Sequence, residues 1–207
     1  RRADRERLSG AARNRGIRAA RGDIVVLMDD DAVAPELWLE KLAVGLEQSG
    51  AEVAGGAIRL RAEGPLIGKH REEVRALFAE VLEPARTDDG RVVPVTCNMA
   101  AFRKVFDRAL FDETVRPPVE EVDWLVRAQA TSVFLPDAWL WHEKSPKEVS
   151  LGAALRLAWS RGSETGWWSR ARLRRPLSRR VREAGMSAWT MFFSVGHVAR
   201  RRCVGGL

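Results

Sequence analysis

The sequence predicts an α/β fold, a sheet flanked by helices and followed by a helical, basic C-terminal tail. Three observations predict it. Residues 24–31 read IVVLMDDD, five apolar residues running straight into three carboxylates. That is the pattern of a strand buried on both faces whose carboxyl end carries the acids. Helix-like and strand-like stretches then alternate as far as residue 142, as α/β repeats do. From residue 149 the composition shifts to Arg and Trp.

Composition narrows the class. The 207 residues are 45% hydrophobic and 30% charged, which describes a globular chain with a real core. Cys97 and Cys203 are the only cysteines and have no CxxC spacing. A disulfide scaffold and a zinc ribbon are therefore excluded, and a reducing compartment fits. The net charge of +7 is unevenly spread: residues 151–207 hold twelve arginines and two acids, a balance of +10, which leaves −3 for residues 1–150. A basic tail points to an anionic surface. The chain opens RRADRERLSG, with neither Met nor an apolar signal segment, and is expected to start inside a domain.

The elements follow in order. Residues 1–21 read as a helix that Ser9 can cap and Gly22 closes. The strand from Ile24 comes next. Pro35 at a first helical position and Gly50 beyond the end bound a helix whose apolar side is Leu37, Leu39, Leu42, Val44 and Leu46. Residues 51–60 form a short strand with a Gly pair, and residues 69–82 an amphipathic helix with Val74, Leu77, Phe78 and Val81 on one face. Residues 92–95 read as a strand, TCNMAAF as another, and a short helix follows Arg103. Residues 120–130 read as a helix with Val122, Leu125 and Val126 inward. Residues 133–136 and 138–141 read as two strands split by Pro136-Asp137. The expected organisation is a catalytic domain over 1–148 and a helical tail over 149–207.

In that tail, residues 184–199 are sixteen residues without a charge, bracketed by arginines. That is shorter than the ~20 needed to cross a bilayer. With Trp159, Trp167, Trp168 and Trp189 in the same tail, the expected pose lies in the membrane interface. The location expected is cytoplasmic, peripheral on the inner face of the cell membrane. No nucleic-acid motif accompanies the arginines, so a nucleic-acid partner is not expected.

Three constellations carry chemistry. Asp29, Asp30 and Asp31 end a strand, where open α/β sheets place ligands. Three adjacent acids repel, and a hard divalent ion with phosphate oxygens relieves them. The same triplet also serves as a solvated turn before the Pro35 helix. Glu120, Glu121 and Asp123 open a later helix. A carboxylate there can take a proton from a hydroxyl nucleophile, or simply favour a helix N-terminus, with Asp123 and Arg127 an i, i+4 pair. His142 ends a strand and serves either as a structural hydrogen-bonding residue or as a further metal ligand.

ARNRGI, GDIVVLMDDDAVAPELWL, NMAAFRKVFDRALFDE, EEVDWLVRA and FLPDAWLWHE occur in that order. Together they resemble the family 2 glycosyltransferases of the glycosyltransferase-A fold, over residues 9–143. The resemblance implies a Rossmann-like mixed sheet whose first strands are missing here. It implies a nucleotide-sugar donor, a divalent metal (Mn²⁺ or Mg²⁺) on its diphosphate, and inversion at the anomeric carbon. By position, Asp31, Asp29 and His142 would hold the metal. Arg13, Asn14, Asp29 and Asp30 would line the donor. Glu121 would be the base, with Glu120 and Asp123 beside it. The acceptor implied is a saccharide or lipid-linked hydroxyl of the cell envelope. Two departures stand out: the motif's Asp is Glu121 and its Leu is Trp124. The QxxRW motif of processive synthases is absent. The competing expectation is a truncated, inactive remnant or nucleotide-sugar-binding module.

Overall fold

The structure, a computed structural model, describes residues 8–63, 72–87, 89–115 and 119–171. Helix α1 (Leu8–Ala19) leads into strand β1 (Ile24–Met28), short strand β2 (Ala32–Val33) and helix α2 (Trp38–Ser49). Strand β3 (Val53–Ala62), helix α3 (Glu72–Leu77), strand β4 (Asn98–Phe102) and helix α4 (Arg103–Arg108) follow. Helix α5 (Glu120–Ala128), strand β5 (Ser132–Lys144) and helix α6 (Leu151–Ala171) complete it. The five strands form one sheet in the order β1-β4-β3-β5-β2. The β1–β4, β3–β4 and β2–β5 pairs are antiparallel.

Side-chain alternation along the strands separates two apolar layers. Val25, Val53, Met99 and Ala101 pack on one face with Ile17 of α1, Val105 and Phe106 of α4, and Trp124 and Leu125 of α5. Ala54, Ile58, Ala100, Ala138 and Leu140 pack on the other face with Trp38, Leu42 and Leu46 of α2. This is a helix–sheet–helix stack. Asn98 pins its centre: its Nδ2 donates to the carbonyls of Ala57 (2.9 Å) and Ala138 (2.8 Å), while its Oδ1 accepts from Trp38 Nε1 (2.9 Å).

The chain divides into two compact units, Arg1–Arg59 with Glu80–Glu143, and Leu60–Ala79 with Lys144–Leu207. In the second, Leu60, Phe78, Val149 and Ala154 form a small buried cluster. Arg161 Nη1 donates to the Ala76 carbonyl (3.1 Å). No helix among the described residues is long and apolar enough to cross a membrane. Residues 172–207, including the uncharged stretch 184–199, lie outside the described residues.

Several sequence expectations are corrected. Among the described residues β1 pairs with β4 alone, and although its side chains touch both apolar layers, only Val25 is fully buried. Ser9 sits inside α1 and donates to Glu120 Oε2 (3.5 Å) instead of capping. Helix α2 starts at Trp38, because the Trp38 N–H closes a turn on the Pro35 carbonyl (3.0 Å). Gly50 ends it as expected, with a left-handed φ of 68°. Leu37, Leu39 and Val44 are exposed, so the buried stripe of α2 is Trp38, Leu42 and Leu46. Residues 92–95 form only an isolated bridge, Arg86↔Val92, and Pro94 has no N–H for a ladder. In α5, Val126 is exposed and Trp124 is buried. The two strands expected around Pro136 are the single β5, with Pro136 and Asp137 exposed on it.

Candidate active site

Strand register gathers the first constellation. The β1–β4 ladder ends with Met28 opposite Asn98. One step further, Asp29 leaves β1 beside Cys97, which precedes β4. The Ala32 N–H bonds back to the Asp29 carbonyl (3.2 Å), so Asp29, Asp30 and Asp31 form one tight turn. β2 then pairs Ala32 with His142, and the Glu143 N–H donates to the Asp31 carbonyl (2.9 Å). The acidic turn and His142 are thereby locked together by backbone.

Asp31 Oδ1 lies 3.0 Å from His142 Nε2. The contact is at ion-pair distance but off the ring's N–H direction, since neither ring nitrogen of His142 has a hydrogen-bond partner. Both are fully buried, and the residue is 4% exposed. A buried polar atom without a hydrogen bond costs about 1–3 kcal/mol, so the His142 ring nitrogens are suited to act as ligand atoms. The ligand atoms of Asp29, Cys97 and His142 all lie within 4.8 Å of one another. Carboxylate, thiol and imidazole at this spacing fit a divalent cation. Asp30 is exposed.

The second constellation is built on the first turn of α5, where all three acids are buried. Their environments differ. Asp123 Oδ2 accepts from Arg127 Nε (2.7 Å), an i, i+4 ion pair. Glu120 is paired with the Arg13 guanidinium across from α1. Burial, then the neighbouring Glu121 charge, pushes the Glu120 carboxyl above its ordinary range against the pull of Arg13. Glu121 Oε1 accepts twice from Thr96, from its backbone N–H (3.3 Å) and its hydroxyl (2.9 Å). Thr96 therefore holds Glu121 while its neighbour Cys97 belongs to the cation cluster. The two constellations meet on this dipeptide.

Asn14 is committed elsewhere. Its Nδ2 donates to the Phe111 carbonyl (2.9 Å) and to Glu113 Oε1 (3.0 Å), and its Oδ1 accepts from the Phe111 N–H (3.0 Å). This pins the FDE loop to α1. Trp124, at the position of the resembled motif's Leu, is stacked on Phe106 (5.0 Å) and Phe111 (5.2 Å).

The sequence profile of glycosyl transferase family 2 matches residues 1–111. The chain belongs to this family. No curated protein matches it at sequence level. Among solved structures it is similar to TarS 1-349 of S. aureus in complex with UDP, at 15% identity and a TM-score of 0.45, covering 84% of this chain and 56% of that one. It is similar to GalNAc-T7 with UDP, GalNAc and Mn²⁺ at 14% identity and a TM-score of 0.46, covering 72% and 34%. The third is glucosyl-3-phosphoglycerate synthase of Mycobacterium tuberculosis with Mn²⁺, UDP-glucose and glycerol 3-phosphate. There identity is 23% and the TM-score 0.38, covering 74% and 54%. The chain thus spans about a third to a little over half of each of these proteins. The five-stranded sheet flanked by helices is the glycosyltransferase-A-like architecture expected of this family.

Asp29, Asp31 and His142 were all legible as candidates, and the structure brings them together. Thr96 and Cys97 were not singled out as site residues. Only the register of TCNM against IVVLM reveals them, and no sequence pattern fixes that register.

Proposed function

We propose that the chain carries the donor and base side of an inverting, metal-assisted glycosyltransferase. It would move a sugar from a nucleotide-sugar donor to a hydroxyl of a saccharide or lipid-linked acceptor. The observation that carries this reading is the convergence of two carboxylate constellations on Thr96-Cys97, one with an orphaned buried imidazole, in a chain of this family. When bound, the divalent ion (Mn²⁺ or Mg²⁺) neutralises charge on the leaving diphosphate. Asp29, Asp31 and His142 would hold it. Asp30, which is exposed, and Arg13 would face the donor, with Asn14 fixing the loop behind Arg13. Glu121 would accept the acceptor's proton, with Thr96 holding one of its oxygens so that the other addresses the hydroxyl. Glu120 and Asp123 support α5 from either side.

The tail over 149–207 is proposed to rest on an anionic membrane at the cytoplasmic face, near an envelope acceptor. Leu151, Leu155 and Trp159, one side of α6 at four-residue spacing, are exposed by 40%, 43% and 79%, and this supports that pose.

The test is calorimetric titration of the chain with nucleoside diphosphates, with and without Mn²⁺, followed by transfer assays with nucleotide sugars. Metal-dependent binding that is lost in Asp31→Ala supports the reading, and unaltered binding in that variant sinks the metal assignment. The second reading, a nucleotide-sugar-binding module without turnover, is favoured by Glu121 standing where the motif has Asp. Binding without transfer would select it.

A further inference from the structure

We propose that Asp29, Cys97 and His142 form a mixed carboxylate–thiolate–imidazole site, in which Cys97 makes the chain prefer borderline-soft ions such as Zn²⁺ and Co²⁺ over Mg²⁺. The proposal deepens the metal-assisted reading above and rests on it only for the place of the ion in the reaction. The geometry stands on its own. The three ligand atoms lie within 4.8 Å of one another. Bonds of about 2.0–2.3 Å to one tetrahedral ion would place such atoms roughly 3.3–3.8 Å apart, so an inward shift of an ångström or less closes the site.

The ligand types decide the preference. Mg²⁺ takes oxygen ligands in near-ideal octahedra, and a buried sulfur contributes nothing to it. Thiolate and imidazole instead select zinc-like ions. Cys97 is 1% exposed, reduced, and packed in the apolar layer with Trp38 and Leu140. His142 is the independent sign that a ligand is wanted: it is buried, with both ring nitrogens lacking hydrogen-bond partners, and its Nε2 edge is turned to the acidic turn. Asp29 is only half-buried and gives the site a side open to solvent. Binding breaks the Cys97 S–H bond as the S–metal bond forms, and the proton leaves to solvent.

Co²⁺ titration of the whole chain reads this directly. A near-ultraviolet sulfur-to-cobalt charge-transfer band is expected in the unmodified protein and is expected to vanish in Cys97→Ser. By competition, Zn²⁺ should bind at least 100-fold more tightly than Mg²⁺, and the ratio should shrink at least ten-fold in Cys97→Ser. No band in the unmodified protein, or an unchanged ratio in the variant, overturns the proposal. The unmodified protein alone decides the first point, so a folding defect of the variant cannot hide the answer. Nucleotide binding keeps the two readings apart. Metal-dependent UDP binding without a thiolate band leaves the transferase reading standing and removes this one. A band without UDP binding does the reverse.

Discussion

Thr96 donates both its backbone N–H and its hydroxyl to the same oxygen of Glu121, at 3.3 and 2.9 Å. Glutamate is one methylene longer than the aspartate of the resembled motif and has one more torsion to fix. The paired donors supply that restraint. Thr96→Val keeps the shape and removes the hydroxyl. A hydrogen bond to a charged group is worth about 1.5–3 kcal/mol, so kcat should fall about ten-fold or more while KM for the donor changes little. Thr96→Ser should restore the rate. Glu121→Gln should cost about 10²-fold or more. If Thr96→Val and the unmodified protein share one kcat, the Thr96 hydroxyl does not hold Glu121 for the proposed proton transfer.

Arg13 and Glu120 form an ion pair between α1 and α5, with the carboxylate almost wholly buried. Removing one partner of such a pair leaves an uncompensated buried charge. Arg13→Ala should therefore lower unfolding free energy by about 3 kcal/mol, read from the urea midpoint. Arg13→Lys keeps a charge but loses the planar fork, so its loss should be smaller. If Arg13→Ala leaves the midpoint unmoved and only weakens nucleotide binding, Arg13 serves the donor and not the fold.

The raised Glu120 carboxyl makes stability depend on pH. The folded state holds this proton more tightly than the unfolded chain, whose ordinary value is 4.5. The group's contribution is thus present below that value and lost as pH rises through the folded value. Against Glu120→Gln, which does not titrate, the unmodified protein should lose stability steadily as pH climbs from 4.5. Parallel urea titrations across a pH series check the sign. A gain with pH would mean that Arg13 outweighs burial and the Glu121 charge.

Much of this site was legible because its residues are neighbours in the chain. Asp29 to Asp31 end one apolar run, His142 ends another, and the three acids of α5 fall within four residues. What was not legible depends on pairing across the sheet. Nothing in TCNM announces that Met28 faces Asn98, and without that register Cys97 and Thr96 are only a small thiol and a hydroxyl before a strand. The α5 face was misjudged locally. Val126 was expected inside, but Trp124, on nearly the opposite side of the helix, lies on the buried face and Val126 is on the surface.

Gly56 and Gly16 should respond oppositely to alanine. A Cβ on Gly56 would collide with the Ala138 carbonyl and the Asn98 amide, the groups that join the middle strands. Backbone cannot yield there, so Gly56→Ala should abolish cooperative unfolding or cost several kcal/mol. Gly16 lies in α1 with nothing within 4 Å of the added carbon. Gly16→Ala should stabilise by up to about 1 kcal/mol through helix propensity. Thermal melts of the two variants decide both points: a neutral Gly56→Ala overturns the first, and a destabilised Gly16→Ala the second.

Trp124 stands where the resembled motif places Leu. Its indole is fully buried, stacked between Phe106 and Phe111, and its Nε1 donates to the Ala109 carbonyl at 2.8 Å. The two phenylalanines belong to α4 and the FDE loop, so this one ring ties α5 to both. Trp124→Phe keeps a ring in the stack and loses the hydrogen bond, a cost of about 1 kcal/mol. Trp124→Leu also opens a cavity and should cost about 3 kcal/mol or more, a fall in Tm on the order of 10 °C. The order Trp, Phe, Leu in melting temperature is the expected result. If Leu matched Trp, the aromatic stack would be a tolerated substitution and not the tie that positions the acidic turn of α5.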